Sequence, residues 1–353
     1  QRQQQYTPAT LTMTTILRLT QQPRLRLLLP THRCKSHWSL PPSSKTPPKQ
    51  DPTAMFAKKS KANSSVEKRR RLISEEEQDL LLDGPGLCAM PSISTWNEGG
   101  NKEDMQQLAV NHVLDTGLCH FPALLTAHDC ILLKEHIDRI LTTAKNNVGT
   151  KGFSFLSHFG PVMARTHRYD VLLPLDHLVL PPVRKVLSNV EEIMRAIVGE
   201  EAYLCELSAL ISDPLAVAQP IHHDTSFDGT PPRVSLLVAL QDIDSAMGPT
   251  YFFPNTNSPE WHLKYMMRDE DLEELLSSHP FCAGNMKAGD AVLYDTTLLH
   301  CASSAEHSER RRTLLTLSAQ EENTMNANEQ ANIKPGYRSS LQLNQLKEWK
   351  EKD

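Results

Sequence analysis

The stretch Gln219-Pro220-Ile221-His222-His223-Asp224 constrains this chain more than any other. His222 and Asp224 are two residues apart. On an extended strand successive side chains alternate faces, so these two point to one side and His223 to the other. An imidazole and a carboxylate aimed at one point supply two ligands of a 2-His-1-carboxylate facial triad, the donor set of divalent non-haem iron. The third ligand must come from later in the chain, brought back by sheet pairing. His300 is placed for it, after the strand-like run Asp290-Ala291-Val292-Leu293-Tyr294-Asp295. The run Arg311-Arg312-Thr313-Leu314-Leu315-Thr316-Leu317 follows, and an arginine there offers a fixed cation for a dicarboxylic cosubstrate. His222 alone would read as a satisfied core histidine. The combination points to a metal.

Ligands at strand ends need a framework of many strands, and the chain can supply one. It has 353 residues, 39% apolar and 22% charged, enough for one large domain or two small ones with a full core. The net charge of −5 argues against a general nucleic-acid binder. No apolar run approaches the ~18 residues needed to span a bilayer. The seven cysteines are scattered, odd in number and contain no Cys-x-x-Cys pair. They read as reduced thiols of an intracellular protein, cytoplasmic or organellar, and neither as a disulfide frame nor as a zinc site. Oligomeric state is not readable.

Residues 1–95 are expected to be a disordered basic N-terminal region, rich in Gln, Pro, Ser, Thr and Lys and without sustained apolar periodicity. Residues 1–50 hold no Asp or Glu, while Arg2, Arg18, Arg24, Arg26, Arg33, Lys35, Lys45 and Lys49 are basic. From Met13 the composition fits either an organellar presequence or a basic tail. A second basic cluster, Lys58 to Lys61 and Lys68 to Arg71, reads as a nuclear signal or, more plainly, as a solvated run offset by Glu75-Glu76-Glu77. A folded domain is expected over 96–322 and a polar tail, with a loose helix over 341–350, over 323–353. If the chain ends at Glu351-Lys352-Asp353, it carries no peroxisomal address.

Within the domain, 105–114 has helical spacing and 117–121 reads as a strand. Thr126 with Asp129 makes a capping box opening a helix to about residue 143, with Ile131, Leu132, Ile137, Ile140 and Leu141 as its expected buried face. A helix over 182–198 has Pro182 near its start and Gly199 just past its end. Strands are expected over 168–173, 203–212, 220–225, 233–240, 250–253, 291–295, 300–303 and 311–319, with a charged helical insertion over 260–276. The segments 153–165 and 226–232 are expected to form a mouth. Two helices on many short strands predict a mainly β protein, a double-stranded β-helix of jelly-roll or cupin type.

Four stretches carry a family resemblance: Gly117-Leu118-Cys119-His120-Phe121-Pro122-Ala123-Leu124-Leu125; Gln219 to Asp224; Met247-Gly248-Pro249-Thr250 with Phe253-Pro254-Asn255-Thr256-Asn257; and Ala288 to Asp295 ending at His300. In order and spacing they resemble the phytanoyl-CoA dioxygenase family over roughly 110–320. The resemblance implies a mononuclear Fe(II) enzyme that consumes 2-oxoglutarate and O₂, releases succinate and CO₂, and hydroxylates a small organic substrate. By position His222, Asp224 and His300 resemble its metal ligands. Arg311 falls where the family places its cosubstrate arginine, and strand alternation is read as turning Arg311 inward; spacing leaves Arg310 and Arg312 open. Gln219 is read either as lining the cosubstrate pocket or as structural. Halogenating relatives carry Gly or Ala at the position of Asp224, so the carboxylate implies hydroxylation. One departure is the turn Pro254-Asn255-Thr256-Asn257, which replaces the family's Pro-Gly-Ser/Thr-His. Asn tolerates positive φ, so the turn is expected to survive without the histidine contact.

Two other readings compete. One is a catalytically inactive barrel of this fold used for binding or as a scaffold; an intact set of converging charged groups counts against it. The other is a cupin-type isomerase or dioxygenase, which would not need Arg311.

Overall fold

The computed structural model describes residues 87–93, 101–147, 155–225, 227, 232–267, 275–276, 279–321 and 332–346. The basic region up to residue 86, with its presequence-like and Lys/Arg-rich segments, lies outside these residues. The elements in chain order are α1 (Lys102–Thr116), β1 (Leu118–Phe121), α2 (Ala127–Asn147), β2 (Arg168–Leu172), α3 (Leu180–Val198), β3 (Ala202–Ser212), β4 (Arg233–Ala239), β5 (Thr250–Phe252), α4 (Pro259–Met267), β6 (Cys282–Ala283), β7 (Ala291–Asp295), β8 (His300–Ala302) and β9 (Arg312–Glu321).

The helices start and stop where local chemistry directs. The side chain of Asn101 caps α1 by accepting from the Glu103 N–H, and Gly117 ends it in the left-handed region at φ 89°. Thr126 and Asp129 form the reciprocal capping box of α2: the Asp129 N–H donates to Thr126 Oγ1 at 3.2 Å and the Thr126 N–H donates to Asp129 Oδ2 at 3.1 Å. The buried stripe of α2 is Cys130, Leu133, Ile137, Leu141 and Ala144, an i, i+3, i+4 series. Ile131 and Leu132, expected on that face, are 54% and 44% exposed. At 3.6 residues per turn they stand off a stripe that begins at the small residue Cys130.

Antiparallel pairing gives two sheets. The six-stranded sheet runs β1-β7-β4-β9-β3-β2 and the smaller one runs β6-β5-β8. This is the double-stranded β-helix architecture, mainly β with flanking helices. Alternation splits the larger sheet into two buried faces. Leu207, Ala209, Leu236, Val238, Leu315 and Leu317 pack outward against α1, α2 and α3. Leu237, Val292, Tyr294 and Leu314 face inward, toward Phe252 and Leu298. Each fully buried Leu or Val here contributes roughly 1.5–3 kcal/mol. The polar residues of the inner face are what matter for function: Arg312, Thr316, Ser318 and Gln320 on β9, with Ser212 opposite Arg312 and Ser235 opposite Ser318.

One register shift re-aims a charged residue. The β3–β9 ladder pairs Leu204 with Ala319 but Glu206 with Ser318, so Cys205 is an extra residue. Without this bulge Glu206 would share the outer face of Leu204; with it, Glu206 enters the inner face.

Two segments differ from their expected form. The run 220–225 is not a strand: it is extended, bridged to β8 only at His222–His300, and the N–H groups of Asp224 and Thr225 both donate to the Thr296 carbonyl. Two donors converging on one acceptor turn the backbone out of a ladder. Of the helical insertion expected over 260–276, Pro259–Met267 forms α4 and residues 275–276 are helical, while residues 268–274 lie outside the described residues. Residues 332–346, expected within a polar tail, form 3-10 turns at Pro335–Tyr337 and Leu343–Gln345, and bury Ile333, Leu341, Leu343 and Leu346 in the main core.

Candidate metal centre

His222, Asp224 and His300 converge as their spacing requires, with one ligand atom from each within 4.8 Å of the others. His222 Nε2 lies 3.8 Å from Asp224 Oδ1, and His300 Nε2 lies 3.7 Å from Asp224 Oδ2. Both rings are oriented from behind. His222 Nδ1 bonds the Pro220 carbonyl at 2.8 Å and His300 Nδ1 bonds the Leu298 carbonyl at 2.9 Å. A carbonyl only accepts, so each Nδ1 is the protonated nitrogen and each Nε2 presents a lone pair to the centre. Tyr294 donates to Asp224 Oδ2 at 2.9 Å. The imidazoles are buried, whereas the Asp224 side chain keeps 35% of its surface open. This two-imidazole, one-carboxylate set fits a divalent iron with one side open for further ligands.

The electrostatics keep Asp224 ionised. Burial raises its pKa, but His300, His222 and Arg233, together with the Tyr294 hydroxyl, outweigh that and hold it below the ordinary value. Behind it lies a buried pair. Arg233 Nη2 bonds Glu206 Oε2 at 3.1 Å, and Ser208 and Ser318 also donate to that carboxylate. Burial still leaves the Glu206 carboxyl raised, against the pull of Arg233. His223 turns away from the centre, as alternation predicts, and stacks on His262 with centroids 4.0 Å apart.

The arginine assignment requires correction. Arg311 faces outward, where its Nη1 meets Asp138 Oδ1 of α2 at 2.7 Å and its Nε meets Asp213. Arg312 is the inward residue, 1% exposed and on the face of Thr316 and Ser318. The strand phase is thus opposite to the expected one. Leu314, Leu315 and Leu317 are apolar on both faces of β9, which erased the period-two signal. Arg310 is at the surface, paired with Asp244. Gln219 links two segments: its Oε1 accepts from the Ala302 N–H at 3.1 Å and its Nε2 donates to the Met163 carbonyl.

Around the site the turn at Pro254 survives as expected. Asn255 takes φ 62°, and Thr256 Oγ1 accepts from the Leu299 N–H beside β8. Gly248 takes φ 66° against β8's continuation, where an added Cβ would fall 2.7 Å from the Ser303 carbonyl oxygen. Tyr294, Arg233, Glu206, Ser212 and Arg168 were not singled out as site residues in the sequence. Tyr294 had a local signal, since it lies within the motif that leads to His300. The others are assembled by sheet register alone.

Fold and donor set together fit a mononuclear non-haem iron centre in a double-stranded β-helix. The Phytanoyl-CoA dioxygenase (PhyH) family profile matches residues 114–314, more than half of the chain, and the chain belongs to that family. The family's cofactors are Fe(II), 2-oxoglutarate and O₂. No curated protein sequence matches the chain. Among solved structures, it is similar to AviO1 from Streptomyces viridochromogenes Tue57, at 15% identity and TM-score 0.46, covering 63% of this chain and 97% of that one. It is also similar to two non-haem α-ketoglutarate-dependent enzymes of nogalamycin biosynthesis. The epimerase SnoN is 17% identical with TM-score 0.44, over 62% of this chain and 84% of that one. The carbocyclase SnoK is 17% identical with TM-score 0.44, over 64% and 85%. No helix among the described residues is long and apolar enough to cross a membrane.

Proposed function

We propose that this chain is an Fe(II)- and 2-oxoglutarate-dependent dioxygenase that hydroxylates a small organic substrate and releases succinate and CO₂. The observation that carries the reading is the convergence of His222, Asp224 and His300 with both Nδ1 atoms committed to carbonyls. An iron held by His222, Asp224 and His300 would supply the oxidative chemistry that consumes 2-oxoglutarate and O₂. The chain's residues do the rest. Tyr294 holds the Asp224 carboxylate in place, and Gln219 ties the ligand-bearing segment to β8. Arg312 is the residue that supports a role in holding the far carboxylate of the cosubstrate: it is inward, buried, and paired with no carboxylate among the described residues. A guanidinium suits that role because its donors match a carboxylate in plane. Asp224 fills the coordination position that a halide would need, which favours hydroxylation.

The test is succinate release from 2-oxoglutarate in the presence of Fe(II), O₂ and ascorbate. Slow turnover without added substrate is expected, accelerated in a metabolite screen by the right substrate, whose mass rises by one oxygen. His222→Ala, Asp224→Ala and His300→Ala should abolish both succinate release and stoichiometric iron. Wild-type protein that forms no more succinate than these variants would sink the proposal.

A further inference from the structure

Cys88 and Cys282 are 194 positions apart in the chain, yet their Sγ atoms lie 3.0 Å from each other. Both are free thiols. The backbone brings them together. Leu87 and Phe281 form a parallel bridge, and the Cys88 N–H donates to the Phe281 carbonyl at 2.8 Å. Each cysteine is one residue past that bridge, so the two stand opposite each other on one face. Paired strands lie about 4.8 Å apart, within the ~4.4–6.8 Å Cα separation that a disulfide accepts. Cys282 Sγ also donates to the Ala89 carbonyl at 3.7 Å.

Other buried thiols have different surroundings. Cys119, Cys130 and Cys205 point their sulfurs at the backbone carbonyls of His120, Ala239 and Ser318. The two facing cysteines also differ from each other. Cys282 is 0% exposed, whereas Cys88 is half-buried and meets solvent. Burial, then the neighbouring Cys88, pushes the Cys282 thiol well above its ordinary pKa. An oxidant in solution therefore reaches Cys88 first, and Cys282 is held in contact to resolve the product. Their place in the fold matters too. Cys282 of β6 pairs in register with Phe252 of β5, and Phe252 pairs with His300 of β8. The Phe252 and His300 rings stack with centroids 6.2 Å apart. The two thiols thus close the edge of the small sheet, two strands from a candidate metal ligand. That edge is weakly held, because β6 is only two residues long.

We propose that Cys88 and Cys282 are a peroxide-oxidisable pair, and that their disulfide staples the segment around residue 88 to the edge of the sheet that carries His300. The Cys88 sulfur attacks hydrogen peroxide, breaks the O–O bond, takes one oxygen as a sulfenic acid and releases the other as water. The Cys282 sulfur then attacks the Cys88 sulfur. The S–S bond forms, and the sulfenic hydroxyl leaves as a second water with the Cys282 proton. Two thiols and one peroxide give one disulfide and two waters: the thiols lose two electrons and the peroxide gains them. A dithiol reductant reverses the state. The staple requires neither a bound metal nor 2-oxoglutarate, so it stands apart from the dioxygenase reading.

The experiment treats the reduced full chain with hydrogen peroxide, alkylates the remaining thiols and digests the protein for mass spectrometry. A peptide linking Cys88 to Cys282, two hydrogens lighter than the sum of its parts, is expected, and dithiothreitol should remove it. Because the link spans 194 positions, oxidation should raise Tm by at least about 5 °C. Cys88→Ser should form no such link and show no rise. The linked peptide is sought in the unmodified protein, so the test does not depend on the variant folding. Oxidation of Cys88 to sulfinic or sulfonic acid without the link would overturn the pairing, and so would linkage of Cys88 to a different cysteine. A link that leaves Tm unchanged would overturn the staple, as would an equal Tm rise in Cys88→Ser.

Discussion

Tyr294 donates its hydroxyl to Asp224 Oδ2 at 2.9 Å, and that same oxygen lies 3.7 Å from His300 Nε2. One donor therefore fixes the carboxylate in the orientation the third ligand needs. Burial, then the charge of Asp224, pushes the phenol well above its ordinary pKa, so it stays a neutral donor. Tyr294→Phe keeps the ring against Phe252 and His300 and removes only the O–H. Metal affinity should fall about 10- to 100-fold with little change in Tm, read by titration against a competing chelator. Unchanged affinity would show that the backbone alone orients Asp224.

The two neighbouring arginines of β9 should separate cleanly. Arg312→Ala should raise the apparent KM for 2-oxoglutarate far more than Arg311→Ala or Arg310→Ala, by on the order of 2–5 kcal/mol of transition-state binding. Arg311→Ala should instead cost about 1 kcal/mol of stability, since it removes part-exposed pairs with Asp138 and Asp213. Steady-state kinetics and urea denaturation on the same three variants decide the matter. A larger KM effect at Arg311 would contradict the inward assignment of Arg312.

The buried Glu206–Arg233 pair gives a pH-dependent prediction. Arg233→Met leaves Glu206 unpaired, and breaking a buried pair from one side costs about 3–5 kcal/mol near neutral pH. Burial already raises the Glu206 carboxyl, and loss of Arg233, which opposes that, raises it further. An acid whose folded pKa is raised binds more protons in the native state, so stability falls as pH rises through the window between the two pKa values. The variant should therefore regain stability as pH is lowered toward the ordinary glutamate value of ~4.3. Denaturation from pH 8 to pH 5 measures this, and adding Glu206→Gln should flatten the profile. A penalty independent of pH would mean that packing, not charge, explains the loss.

The boundary of the domain can be set from contacts. Leu87 bridges to Phe281, Ser92 bridges to His120, and Ile93 is 2% exposed. A chain beginning at residue 87 should bind metal and 2-oxoglutarate as the full chain does. One beginning at residue 94 should lose at least about 2 kcal/mol through the missing Ile93 alone. Equal stability of the two fragments would show that the segment adds nothing to the fold.

What was legible in the sequence had a short-range cause. The His222/Asp224 alternation, the Thr126/Asp129 capping box and the glycine stop at Gly199 each depend on residues within a few positions, and each appears in the structure. What was not legible depends on register or on faces that look alike. β9 is apolar on both sides, so Arg311 and Arg312 could not be told apart by alternation. Glu206 is inward only because of the bulge at Cys205, which no local pattern marks. Arg168 meets Arg312 through Ser212, across three strands and more than a hundred residues, and the ladder alone makes them neighbours.

The final prediction concerns the outcome of the reaction. On the reading proposed above, Asp224 supplies a metal ligand, and a halide would have to bind the metal at that position. The carboxylate fills that position and adds a negative charge that opposes a second anion. The protein should therefore hydroxylate its substrate and leave it unchlorinated even in high chloride. Asp224→Gly would vacate the position, but Tyr294 would then lose its acceptor and Arg233 a neighbouring counter-charge, so the variant should lose metal before it gains chloride. Product mass spectrometry in chloride buffer, with iron content measured alongside, checks both statements. A chlorinated product from the unmodified protein would overturn Asp224 as a ligand, because no carboxylate bound there leaves room for the halide.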